Sequence, residues 1–212
     1  MVLSSLALKG AIEKLRPAGM EIRFDATQAI LAALAQGAKP DLLILTAEAL
    51  EDLKKQGRVK DVQPLGSSGV GVAVRAGAPK PDISTVDSFI RALTIAESVA
   101  HSKVGASGIY FSELLEKRKI ALKKRIVVEK GPVALAVARG EAELAIQQLC
   151  ELAPVAGIDI VGPLPEPLQR LTHFAAAIPV DAPDAAAALQ IMGLLRSGAG
   201  RKAMLDGLIN PA

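Results

Sequence analysis

Lys39-Pro40-Asp41-Leu42-Leu43-Ile44-Leu45, leading into Ala47 to Gln56 and Gly57, is the stretch that decides the architecture. Four aliphatic residues in a row, bounded by turn signals, read as a strand buried on both faces, as strands of parallel sheets are. Ala47 to Gln56 reads as a helix ended by Gly57. The same strand–helix rhythm extends in both directions. Upstream, Val2-Leu3 reads as a strand end, Leu6 to Leu15 as a helix stopped by Pro17 and Gly19, and Glu21 to Phe24 as a strand. Thr27 to Gln36 is a helix capped by Asp25 or Thr27 and ended by Gly37. Downstream, strands are expected at Val70 to Val74, Leu93 to Ala96, Ile126 to Val128, Leu144 to Ile146, Ile158 to Val161 and Thr172 to Ile178. Helices are expected at Thr85 to Ala92, Gly108 to Lys117, Val133 to Ala138, Ala182 to Leu195 and Gly198 to Leu205.

Repeated strand–helix order argues for mostly parallel sheets with helices on both faces, an α/β class. One sheet would need many strands, so two lobes fit better, with a crossover near Gly71 to Ala78 and a return near His173 to Pro179. The expected division is residues 1–75 plus 176–212 as lobe I and 76–175 as lobe II, with the ligand in the cleft between them.

Half of the 212 residues are hydrophobic but only 2% are aromatic, with one Tyr and no Trp. The core is therefore aliphatic, and stacking platforms for nucleic-acid bases are scarce. The net charge of +3 is modest. The basic run Lys117-Arg118-Lys119 with Lys123-Lys124-Arg125 sits at an expected helix end, where cations are favoured, so no nucleic-acid partner is expected. Cys150, the lone cysteine, excludes an internal disulfide and a cysteine zinc site and reads as a buried thiol. No apolar stretch is long enough to insert into a membrane as a helix. The N-terminus shows no export signal, although Val2-Leu3-Ser4-Ser5 looks like the tail of a strand whose beginning is missing. Phosphate-loop, His-Glu-x-x-His and Gly-x-Ser-x-Gly motifs do not occur. Gly66-Ser67-Ser68-Gly69-Val70-Gly71 precedes a strand and reads as a hinge-side turn.

Several segments, in order, resemble the molybdate-binding members of the type II periplasmic solute-binding proteins. They are Ser4-Ser5-Leu6, Phe24-Asp25-Ala26-Thr27, Lys39 to Ile44, Ala106-Ser107-Gly108-Ile109-Tyr110, and Arg139-Gly140-Glu141-Ala142-Glu143-Leu144-Ala145-Ile146. The likeness runs over nearly the whole chain. It implies a two-lobed binding protein that clamps a small anion without cofactor or metal, an ABC permease as partner, and a periplasmic location. The absent export signal leaves the cytoplasm open. An oxyanion held without a counter-charge needs N–H groups and hydroxyls, which helix starts supply. Ser4, Ser5, Thr27, Ser107 and Gly108 stand at such starts, and each is also an ordinary capping position.

Two departures bear on the ligand. Lys130 stands where the molybdate binders have a small apolar residue, and Gln147-Gln148 where they have an oxyanion-binding Tyr. A cation and two amides suit carboxylates. With Leu149 to Pro154 and Gly162 to Pro165, this pattern is similar to a subgroup that includes aconitate isomerases. Lys130 reads equally as a surface residue in a basic loop. Three functions follow: a binding protein for a molybdate-type oxyanion or an organic polycarboxylate, a ligand-sensing module without transport, or an isomerase moving a proton in an unsaturated tricarboxylate. The isomerase needs a general base. Lys130, if desolvated, and His101 are candidates; His173 reads as structural and Glu151 as a solvated loop carboxylate.

Overall fold

Leu42–Thr46 forms the buried strand that its aliphatic run foretells, and every residue of it but Thr46 is shielded from solvent. The computed structural model describes residues 1–15 and 21–212. The expected helix stop at Pro17 and Gly19 falls outside the described residues. Contacts divide the chain into two units, Met1–Ser68 with Thr172–Ala212, and Gly69–Leu171.

The first unit opens with β1 (Val2–Ser5), a 3-10 turn at Leu6–Leu8, α1 (Lys9–Leu15), β2 (Ile22–Asp25), α2 (Thr27–Ala35), β3 (Leu42–Thr46) and α3 (Ala47–Lys55), and β4 (Val59–Arg75) runs from it into the second. The second holds α4 (Val86–Ile95), β5 (Val99–Ser102), α5 (Ala106–Arg118), β6 (Arg125–Val128) and α6 (Ala134–Ala138). It continues with β7 (Leu144–Gln148), α7 (Leu149–Leu152) and β8 (Ile158–Pro163). The chain returns to the first unit through β9 (Leu171–Pro179), α8 (Ala185–Arg196), α9 (Gly198–Asp206) and β10 (Asn210–Pro211).

In unit 1, β1 lies between β2 and β3 and runs parallel to both, pairing Val2 with Ile22 and with Leu42. β9 adds antiparallel to β3, with Leu43 opposite Ala177. Leu43 and Leu45 meet Ile30 and Leu34 of α2, Leu50 and Leu53 of α3, and Ala175 and Ala177 of β9 in one aliphatic core. Thr46 caps α3 by accepting from the Ala49 N–H at 3.4 Å, and Gly57, at φ 70°, takes the left-handed turn after the helix.

In unit 2, β5 runs parallel to both β6 and β7, while β7 and β8 pair antiparallel with β4. Alternation along these strands sorts large residues from small ones. Val70, Val72, Val74, Val99 and Ile146 pack against Phe89 and Leu93 of α4 and Phe111 and Leu114 of α5. Ala73, Ala100 and Ala145 face the other way, and their small size admits Val133, Val137 of α6 and Leu152 of α7. The result is a sheet with helices on both faces, the α/β arrangement expected.

Three expectations are corrected. Leu93 to Ala96 is not a strand: α4 continues to Ile95 because Phe89 and Leu93, four residues apart, are both fully buried on one helix face. The strand follows at Val99–Ser102. Gly66 to Gly71 is not a turn but the interior of β4, which starts at Val59. At Gly66 an added Cβ would lie 2.5 Å from the Asn210 carbonyl oxygen, so the glycine lets β10 approach. Finally, α5 begins at Ala106, with Gly105 as its cap, placing Ser107 and Gly108 inside its first turn.

Candidate functional site

Parallel strands end at the same edge of a sheet, and in open α/β folds ligands bind outside those carboxyl ends. Each unit gathers the nominated residues at such an edge.

In unit 1 the edge is built by β1 and β2, where Ser5 stands opposite Asp25. Ser4 is fully buried and donates its hydroxyl to the Ser5 carbonyl at 3.1 Å. Ser5, 4% exposed, ends β1 and opens the 3-10 turn, yet its hydroxyl makes no capping bond. That Oγ has no hydrogen-bond partner among the described residues. Burying a hydroxyl unpaired costs about 1–3 kcal/mol, a cost that a bound ligand would remove. Thr27 is the half-buried first residue of α2. The cap expected from Asp25 or Thr27 is absent: Ala26 occupies the cap position, no side chain closes the helix start, and Asp25 Oδ1 instead accepts from the Ala26 N–H at 2.8 Å.

In unit 2 the edge is built by β5, β6 and β7. Ser107 is 3% exposed, and the cap residue of α5, Gly105, makes no side-chain capping bond, while Ser102 Oγ accepts from the Gly105 N–H at 2.9 Å. Gly108 is where α5 passes over the end of β5, since a Cβ there would sit 1.9 Å from the Ser102 carbonyl oxygen. By contrast α3, α4, α8 and α9 all carry side-chain caps, from Thr46, Thr85, Asp184 and Ser197. The helix starts nominated as anion cradles are thus among those without one, and the simple capping account of Ser5, Thr27 and Ser107 does not hold.

Gln147 and Gln148 end β7, and both are buried. Gln147 Oε1 accepts from the Val133 and Ala134 N–H groups at 3.0 and 3.3 Å, supplying the start of α6 with an acceptor. Its Nε2 donates to Glu151 Oε2. Lys130 is exposed in the turn between β6 and α6. Glu151 is not the solvated loop carboxylate expected from sequence. It lies half-buried on α7, and burial pushes its carboxyl up to about 7 against the lowering effect of the Gln147 amide. The sequence signal was Gln147 four residues ahead of Glu151, with Leu149, Cys150 and Leu152 between and after.

His101 is buried on β5 with both ring nitrogens engaged. Arg125 Nε donates to Nε2 at 2.6 Å, so Nδ1 carries the proton and donates to the Ser102 carbonyl at 2.9 Å. Burial is the main cause holding its pKa below the usual histidine value, with the Arg125 charge adding to it. The ring is a structural bridge, packed edge-on against Phe111. His173 is exposed on β9, and Cys150 is buried, as its apolar surroundings in sequence suggested. Among the described residues no helix is long and apolar enough to cross a membrane.

Comparison with known proteins follows this geometry. A family described as bacterial extracellular solute-binding proteins matches residues 8–206. An aconitate isomerase from Pseudomonas sp is 38% identical over 228 aligned positions, spanning 99% of this chain and 87% of that protein. Among solved structures, the periplasmic molybdate-binding protein of Azotobacter vinelandii superposes with a TM-score of 0.74 at 17% identity, covering 98% of this chain and 97% of that one. The sulfate-binding protein of Mycobacterium tuberculosis gives 0.71 at 18% identity, covering 100% and 86%. At these identities the structures establish the fold, and it is the periplasmic-binding-protein fold that the sequence resemblance implies.

Proposed function

The chain belongs to the bacterial extracellular solute-binding proteins, and we propose that it takes a small organic polycarboxylate and isomerises it, moving one proton along an unsaturated chain as an aconitate isomerase does. The observation that carries this reading is the polar group at the carboxyl end of β7. Gln147, Gln148 and Glu151 stand there, with Lys130 in the turn after the neighbouring parallel pair, in place of a neutral oxyanion cradle. Amide donors and a cation match a ligand with several carboxylates. The 38% identity to an aconitate isomerase over nearly all of this chain supports the same substrate class. In this proposal Ser4, Ser5, Thr27, Ser107, Gly108, Lys130 and Gln148 hold the ligand, the hydroxyls and helix-start N–H groups taking its carboxylates. Gln147, whose amide is already engaged, supports the site from within unit 2. Proton NMR of cis-aconitate, and separately of trans-aconitate, incubated with the protein tests this directly. Conversion of either isomer to the same final mixture is expected; two unchanged spectra would reject it.

The unpaired Ser5 hydroxyl favours a second reading, capture of an anion without chemistry, since a partner for that group serves binding alone. A periplasmic location and delivery to an ABC permease accompany that reading. Ligand-dependent thermal stabilisation without turnover would select it.

A further inference from the structure

We propose that Glu151 carries the proton during isomerisation and that Gln147 is the residue that positions it. This inference rests on the isomerase reading above. The geometry singles out Glu151 in three ways. It follows the carboxyl end of β7 directly, on the edge of the parallel strands where α/β folds place their ligands. Its carboxyl is aimed by a fixed support. Gln147 Oε1 is pinned by two α6 N–H groups, which orients the amide so that Nε2 donates to Glu151 Oε2. A titrating proton then resides on Oε1, the oxygen that the amide does not hold. Lastly, the other titratable candidates lack the required freedom or chemistry. Both nitrogens of His101 are engaged. His173 is exposed on β9, and Lys130 is an exposed cation.

Among the described residues, burial and the Gln147 amide shift the Glu151 carboxyl, and no charge on an element packed against α7 does. β7 carries none within its span, and Asp159 of β8 accepts from the Gly77 N–H at 2.9 Å. Ahead of α6, Glu129 pairs with Lys103 at 3.0 Å, Lys130 lies beside it, and Arg139 is exposed at the far end of that helix. Burial and the Gln147 amide are what set its titration, and they hold it near neutrality, so both protonation forms are populated at pH 7.

The step is a balanced allylic shift. The Glu151 carboxylate takes a proton from the substrate methylene that lies between a carboxylate-bearing alkene carbon and a second carboxylate. The released C–H electron pair forms the new carbon–carbon double bond. The electrons of the old double bond collect at its far carbon, which takes the proton back from Glu151. One proton leaves and one returns, no oxidant is consumed, and the chain closes its cycle unchanged.

The test compares wild type, Glu151→Gln and Glu151→Asp by proton NMR turnover, by deuterium uptake into aconitate in heavy water, and by melting with and without aconitate. Glu151→Gln is expected to lose at least 100-fold in turnover and to lose deuterium uptake, while keeping the ligand-induced melting shift. Glu151→Asp, which restores a shorter carboxylate, is expected to recover part of the rate, and it decides the matter should the glutamine variant not fold. Gln147→Leu should move the pH midpoint of kcat/KM upward, because the amide holds the Glu151 pKa down. A glutamine variant within tenfold of the wild-type rate overturns the role of Glu151 alone. So does loss of the melting shift together with the rate. A wild type that binds aconitate but turns over neither isomer overturns the isomerase reading itself.

Discussion

Unit 1 ends β1 in the Ser5 hydroxyl beside Asp25 of β2, whereas unit 2 ends β7 in two amides and follows it with a carboxyl of raised pKa. In the first, Ser5 and Asp25 end β1 and β2, Thr27 opens α2, and the Ser5 hydroxyl is buried without a partner among the described residues. In the second, Gln147 is bound at both ends of its amide, and Glu151 is held at a pKa near neutrality. The topologies are alike, three parallel strands with an antiparallel neighbour in each case. What differs is the chemistry placed at the strand ends. The lesson is that alike topologies can carry a buried hydroxyl at the strand edge of one unit and a carboxyl of raised pKa beyond the strand edge of the other.

The largest expected effect separates close packing from open packing. Gly108→Ala drives a Cβ into the Ser102 carbonyl and should destabilise the protein by about 3 kcal/mol or more. Gly193→Ala on α8 of unit 1 meets nothing within 4 Å and should stabilise it by roughly 0.5–1 kcal/mol. Denaturant unfolding of both variants measures the contrast, and equal costs would break it.

Next comes the pH dependence of unit 2. The folded Glu151 pKa of about 7 lies above the unfolded value of 4.5, so the folded chain keeps a proton that the unfolded chain has released. Stability from this group is full below about 4.5 and is lost as pH rises through 7, a change of roughly 3 kcal/mol. Glu151→Gln should remove that slope, so that urea unfolding from pH 4.5 to 8 shows the variant gaining on wild type. Parallel curves would place the carboxyl in water.

Gln147→Leu takes the acceptor from two buried N–H groups at the start of α6 and should cost about 2 kcal/mol, read from the melting temperature. Unit 1 should answer its own deletion with the opposite sign. Ser5→Ala removes an unpaired buried hydroxyl and should stabilise the free protein by about 1 kcal/mol while weakening ligand binding by a similar amount. Calorimetric titration beside melting reads both, and a loss of stability on Ser5→Ala would show the hydroxyl to be partnered.

How much of this was legible in the sequence follows from what each segment signals locally. Leu42–Leu45 has one reading because four aliphatic residues between turn signals have no wet face. The run Leu93 to Ala96 was ambiguous, since short apolar stretches fit the end of a helix as well as a strand, and the burial of Phe89 beside Leu93 decided for the helix. The first half of β4 was hidden by Pro64 and its glycines, which signal turns unless a partner such as β10 needs room. At the strand ends, residue types and order marked Ser5, Thr27, Ser107 and Gln147. Only three-dimensional burial distinguishes the poised carboxyl of Glu151 from the solvated one its loop-like context suggested.

The most direct test of the central claim is thermal melting with cis-aconitate, trans-aconitate and citrate set against molybdate, tungstate and sulfate. A ligand at about 100 times its dissociation constant adds roughly 2.7 kcal/mol, a shift easily seen. The account predicts stabilisation by the tricarboxylates and none by the tetrahedral oxyanions. Stabilisation by molybdate and tungstate with none from the tricarboxylates would contradict it.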